Sequence, residues 1–192
     1  MGPDERTGHQ DKAQLRASLL AARRGRNADE LAHARTAVRE QVLGAVDGVG
    51  RVAGYEPMRT EPGSIELLAA LHDRGVAVLV PVTLPDRDLD WTQWSPAGTG
   101  ERLGVNAISE VDLVLAPALA VSRDGNRLGR GGGSYDRALA RCAGDTVVAA
   151  LVFDGEVLDE LPHDEWDVPI HAAVTPSGWQ ALGGNTGMRF PR

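Results

Sequence analysis

Between two apolar runs, Val111 to Ala116 and Thr146 to Val152, the chain places Leu128-Gly129-Arg130-Gly131-Gly132-Gly133 and then a short helical segment. Run, glycine-rich loop, helix, run is the order of a βαβ unit. A third run, Val76 to Val80, is continuous, the pattern of a strand covered on both faces. Strands alternating with helices imply an α/β fold: a single domain with a mostly parallel central sheet flanked by helices. The 192 residues suit that count, since domains are usually ~100–200 residues.

The rest of the pattern fits around these runs. Residues 1–8 read as a disordered lead-in, 9–180 as the domain, and 181–192 as an irregular tail, with irregular chain expected from Thr175 onward. A helical pattern begins at Asp11, with Leu15, Leu19 and Ala22 on one stripe. Gly25 and Asn27 stop it, and a second helix is expected from Asp29 to Ala45. Arg51 to Tyr55 reads as a strand and Glu56 to Gly63 as a loop with two prolines. Ser64 can cap a helix with Ile65, Leu67, Leu68 and Leu71 as its apolar positions, ended by Gly75. Leu89 to Trp94 alternates and is expected at a sheet edge.

Composition narrows the partners. The formal charge is −7 with no basic bias, which argues against nucleic acid. Only one cysteine is present, Cys142, so neither an internal disulfide nor a cysteine zinc cluster can form. It lies on an apolar-periodic stretch and reads as a core residue. No stretch approaches the ~18 apolar residues of a membrane span. Met1 to Gln10 lacks the apolar segment of a secretory signal. No membrane partner and a cytoplasmic location are expected, and the size without heptads suggests a monomer.

The glycine loop carries the strongest chemical signal. Glycines reach positive φ and let the backbone approach a ligand with no side chain between. Successive N–H groups can then converge on an anion. Arg127 and Arg130 would add charge-assisted hydrogen bonds to phosphate. The loop therefore reads as a phosphate-binding loop, although it lacks the Lys of a P-loop and the third Gly of a dinucleotide fingerprint, where Ser134 stands. A flexible turn before a helix is the plainer alternative. Helical angles put Lys12, Arg16 and Arg23 within ~40° of one another; that strip reads first as a solvated basic face and only second as a ligand contact.

The stretch Ala118 to Asp136, containing Asp124-Gly125-Asn126-Arg127-Leu128-Gly129-Arg130-Gly131-Gly132-Gly133, resembles the G-x-R-L-G-x-G-x-G-[YF]-Y-D signature of the 5-formyltetrahydrofolate cyclo-ligase family. Lys12 to Arg16, Tyr55 to Ser64 and Asp167-Val168-Pro169 match further segments in the same order, so the resemblance spans roughly Lys12 to Thr175. It implies an Mg²⁺- and ATP-dependent closure of 5-formyltetrahydrofolate to 5,10-methenyltetrahydrofolate, with ATP as co-substrate, release of ADP and phosphate, and a folate with or without polyglutamate. By resemblance, ATP is bound by Lys12, Arg16, Arg127, Leu128, Gly129, Arg130, Gly131, Gly132, Gly133, Ser134 and Tyr135. Folate is bound by Glu56, Glu61, Arg130, Gly131, Gly132, Gly133 and Ser134. Arg130 and Tyr135 are the implied catalytic residues, and Asp136 and Asp167 the implied metal ligands. Arg23 lies outside the motif and reads as surface.

The residues also have plainer readings: Asp136 as a first-turn acid, Asp167 and Glu61 as loop carboxylates, Tyr135 as a core ring. Three positions depart from the family pattern. Ser134 stands where Tyr or Phe is usual, Glu56 where an apolar residue is common, and His171 where an acid is common. With aromatics at 4%, Trp91, Trp94 and Trp166 are the rings available to replace the missing one. These departures keep two alternatives open: an ATP-binding paralogue without the activity, and a non-catalytic module that binds a nucleotide or metabolite.

Overall fold

The computed structural model describes residues 3–164 and 166–184; nine residues at its start are described by backbone alone. The remainder of the expected tail, 185–192, and residues 1 and 2 of the lead-in lie outside it.

Helix α1 spans Pro3–Gly25 and α2 spans Ala28–Leu43. The first is thus helical upstream of Asp11, across most of the segment expected to be disordered. Asn27, read as part of a stop, also starts the next helix. Its side chain accepts from Glu30 N, and the Glu30 carboxylate accepts from Asn27 N, a reciprocal cap.

The eight-stranded sheet has as its centre β1 (Arg51–Ala53), with β2 (Ala77–Thr83) on one side and β5 (Leu113–Pro117) on the other. Beyond β2 lie β3 (Leu89–Ser95) and β4 (Gly98–Arg102). Beyond β5 lie β8 (Val147–Leu151), β10 (Ala172–Thr175) and β11 (Gly178–Ala181). The five strands from β10 through β8, β5 and β1 to β2 are parallel; β3, β4 and β11 are antiparallel additions.

Two expectations are corrected here. Leu89–Ser95 is not the edge, because Gly98–Arg102 pairs outside it. That edge strand is exposed along its whole length and carries no apolar signal. Nor is the chain irregular after Thr175: Gly178–Ala181 pairs with Ala172–Thr175, and the Trp179 indole donates to Gln41 O.

Side-chain alternation divides the core between the two faces of the sheet. Val52, Val78, Val80, Leu113 and Leu115 pack with Val38 and Val42 of α2 and with Leu67, Leu68 and Leu71 of α3 (Ile65–Asp73). Ser64 caps α3 by accepting from Leu67 N, as expected. Ile65, counted among its apolar positions, is 43% exposed at the first helical turn. On the other face Ala53, Leu79, Val114, Ala116 and Val148 meet Ile108 and the Ala138 and Leu139 side chains of α4 (Ser134–Leu139).

A smaller sheet sits beside the large one. It joins β6 (Ala120–Ser122), β7 (Arg127–Leu128) and β9 (Val157–Leu158). Leu15 and Leu19 of α1 pack here, against Ala120, Leu128 and Leu161, while Ala22 faces solvent. Arg23, read as surface, is 2% exposed. Its guanidinium holds both Glu156 carboxylate oxygens at 2.7 and 2.8 Å and donates to Ala118 O. A buried cation needs such a partner, and Glu156 lies too far along the chain for helical spacing to reveal it. No helix among the described residues is long and apolar enough to cross a membrane.

Candidate active site

The strand order reverses direction at β1. From there the chain crosses to β2 on one side, and only later reaches β5 on the other. Ligands of open α/β sheets gather beyond the carboxyl ends of the strands flanking such a reversal. Here β1 runs into the Tyr55–Glu61 loop and β5 into Pro117-Ala118-Leu119, and between them opens a cleft of about 1000 Å³. Single-ligand pockets reach about that volume at their upper end, which suits two substrates meeting. Every residue named above for ATP, folate or metal lines this cleft.

The glycine loop forms one wall. Gly131 and Gly133 have φ of +97° and +67°, so backbone that L side chains adopt poorly is what turns the loop. Arg16 reaches across from α1 and donates to Gly129 O at 3.0 Å. Arg127 turns inward: it is 9% exposed and donates to Pro117 O at 3.2 Å and to Asp136 at 2.8 Å. Arg130 leans outward and meets Glu61 at 3.1 Å. The helix α4 has only six residues, so its dipole adds little at the loop.

Several cations in the cleft face carboxylates. Lys12, 6% exposed, lies between Asp164 at 2.6 Å and Asp167 at 2.9 Å. Asp167 also accepts from Asp164 N and so closes its own turn. Asp164 carried no sequence signal beyond being acidic. Asp136 and Asp167 line the same cleft, each beside a cation, and no group of three or more His, Cys, Asp or Glu side chains suited to a metal occurs among the described residues. That donor set does not make a protein-only cage. It suits Mg²⁺, which takes one or two carboxylates and completes its shell with phosphate oxygens and water.

The opposite wall carries Glu61, 4% exposed, whose carboxylate accepts from Met58 N and faces Arg130. Glu56 is exposed at the cleft. Tyr135 is half-buried under the Arg127 guanidinium, 5.6 Å from its ring centroid. Burial pushes its pKa well up, which keeps the phenol protonated, and its buried hydroxyl meets no hydrogen-bond partner among the described residues. Of the three tryptophans weighed as replacement rings, only Trp166 lines the cleft, 69% exposed; Trp91 and Trp94 are core. His171 is structural: its Nδ1 accepts from Val148 N, and it does not line the cleft. Cys142 packs partly buried against the core, away from the cleft, with its thiol pushed up to about 11 by burial.

Comparison with known proteins bears on this constellation. The model of the 5-formyltetrahydrofolate cyclo-ligase family matches residues 8–176. A 5-formyltetrahydrofolate cyclo-ligase of Mycolicibacterium smegmatis is 39% identical over 181 residues, covering 86% of this chain and 93% of that protein. The NMR structure of Aquifex aeolicus 5,10-methenyltetrahydrofolate synthetase superposes with a TM-score of 0.75 at 25% identity, over 89% of this chain and 92% of that one. A 5,10-methenyltetrahydrofolate synthetase from Mycoplasma pneumoniae shares the fold with a TM-score of 0.75 at 21% identity, over 86% and 99% of the two chains.

Proposed function

The chain belongs to the 5-formyltetrahydrofolate cyclo-ligase family, and from that membership and the cleft we infer that it converts 5-formyltetrahydrofolate to 5,10-methenyltetrahydrofolate at the expense of ATP. One observation carries the assignment of the site. Four segments remote in sequence, around Lys12, Glu61, Gly131 and Asp167, line one cleft at the reversal of the sheet.

The ATP phosphates lie along the glycine loop, with Lys12 and Arg16 approaching from α1. Phosphoryl transfer asks a protein mainly for positioning and charge neutralisation, and these cations with the loop N–H groups supply both. The formyl oxygen attacks the γ-phosphorus and ADP leaves; N10 then adds to the activated formyl carbon and loses its proton to solvent, and phosphate departs with the formyl oxygen. Arg130 stands between the two walls, where it can offset charge on the transferred group. Tyr135 donates from its neutral phenol. Glu61 accepts hydrogen bonds from the pterin amino and ring N–H groups. Asp136 and Asp167 would hold Mg²⁺, which neutralises phosphate charge when bound. Lys12 and Arg127, now beside those carboxylates, are placed to exchange them for phosphate oxygens. We read the enzyme as a monomer acting on folates with or without polyglutamate, with no nucleic-acid or membrane partner.

The test is direct. Purified protein with Mg²⁺, ATP and 5-formyltetrahydrofolate should produce the methenyl absorbance, with one ADP formed per product. Folded protein that binds ATP yet forms no product would remove this reading and promote the paralogue.

A further inference from the structure

Glu61 owes its direction to a turn that another element holds in shape. Its N–H donates to Met58 O at 3.0 Å, and its carboxylate accepts from Met58 N at 2.9 Å. Met58 to Glu61 is therefore a closed turn, with Glu61 bonded at both ends. Its other carboxylate contact is Arg130. The segment has no regular structure and is flanked by Pro57 and Pro62.

The restraint comes from α2. Arg35 donates from Nε to Glu61 O, and from one terminal nitrogen to both Met58 O and Arg59 O, each at 3.1 Å. One guanidinium thus binds three of the turn's carbonyls. The planar fork spans acceptors that a compact ammonium could not reach together. Arg35 lies behind the turn and is not among the residues lining the cleft.

We propose that Arg35 is a positioning residue for folate: by holding three carbonyls of the Met58–Glu61 turn, it aims the Glu61 carboxylate into the cleft. The proposal rests on the reading that Glu61 holds the pterin. Within the turn it restrains, Glu61 is the one residue assigned to a ligand, and that ligand is folate. The ATP-side residues belong to α1, to the glycine loop and to the segment ending at Asp167. The effect of Arg35 should therefore fall on one substrate, which a general contribution to stability would not do.

The experiment measures separate dissociation constants for 5-formyltetrahydrofolate alone and for Mg-ATP alone, by titration calorimetry on the full chain. Arg35→Gln, Arg35→Lys and Glu61→Gln are compared with the parent, and thermal unfolding is recorded for each. Both Arg35 variants should weaken folate binding about tenfold, the scale of one charge-assisted hydrogen bond, with Mg-ATP within about twofold. Arg35→Lys keeps the charge and decides the matter if Arg35→Gln does not fold. Unchanged folate affinity in Arg35→Lys, with Glu61→Gln impaired, would overturn the role of Arg35 while sparing that of Glu61. Equal loss of folate and Mg-ATP binding would show Arg35 to be a fold residue and nothing more. Normal folate binding by Glu61→Gln would remove the pterin reading, and this proposal with it.

Discussion

Lys12 and Arg23 share one strip of α1 and have different fates. The strip follows from helical angles, but its partners do not: Asp164 and Asp167 take Lys12, while Glu156 and Ala118 O take Arg23. Arg23 thereby fastens α1, and with it Lys12 and Arg16, to the β5–β6 connection at the cleft. Arg23→Ala would leave Glu156 buried and uncompensated, a change that costs about 3–5 kcal/mol. Replacing both partners with apolar residues, as in Arg23→Met with Glu156→Leu, should recover most of that loss, because neither charge is then stranded. Urea unfolding of the single and double variants measures this directly. A single variant within about 0.5 kcal/mol of the parent, the range of ordinary surface changes, would mean that the pair contributes little. Sequence reading placed Arg23 on the surface because it lies outside the family motif, on a strip that reads as a solvated basic face.

The glycine-rich segment shows how one residue type can serve two purposes. Gly125, in the turn between β6 and β7, has φ of +98°, and a Cβ there would lie 2.8 Å from Ile170 O. That carbonyl is backbone, fixed by the chain on either side, so it cannot move aside cheaply. Gly133 has φ of +67° with open space around the same position. Gly133→Ala should therefore cost only the left-handed penalty, about 1–2 kcal/mol, while Gly125→Ala costs clearly more and lowers the melting temperature further. Equal melting temperatures would show that the Ile170 segment yields. The turn chemistry, the βαβ order and the parallel runs were legible because glycine and buried aliphatic residues have local meaning. The strands at Gly98–Arg102 and Gly178–Ala181 were not, since their pairing comes from neighbours rather than from any apolar pattern of their own. In the cleft, the glycine motif named one wall directly. Trp166 was one of three candidate rings, and only the fold selects it; Asp164 and Arg35 stayed hidden because only the folded chain brings them to the cleft or to its supporting turn.

At the scale of the whole molecule, the cleft exists only when the sheet is assembled. Its walls come from α1, from the loop after β1, from the glycine loop and from the segment ending at Asp167. An unfolded chain offers no such constellation, so each ligand should stabilise the native state by mass action. At a hundredfold excess over its dissociation constant the gain is about 2.7 kcal/mol, or roughly 5–10 °C in melting temperature for a chain of this size. Folate alone should give its shift with or without a chelator. ATP should give its full shift only with Mg²⁺, because two carboxylates beside a polyphosphate repel it unless a cation intervenes. Asp136→Asn also unpairs Arg127, and Asp167→Asn leaves Lys12 with Asp164 alone, so their melting temperatures without ligand will fall, the first by more. The informative quantity is therefore the Mg-ATP shift within each variant. Both singles should shrink it, and the double should shrink it by less than the sum, since the two acids act on one ion. An ATP shift that survives the chelator intact would sink the metal assignment. If only Asp136→Asn reduces the shift, the ion is held by a single carboxylate, and Asp167 serves to orient Lys12.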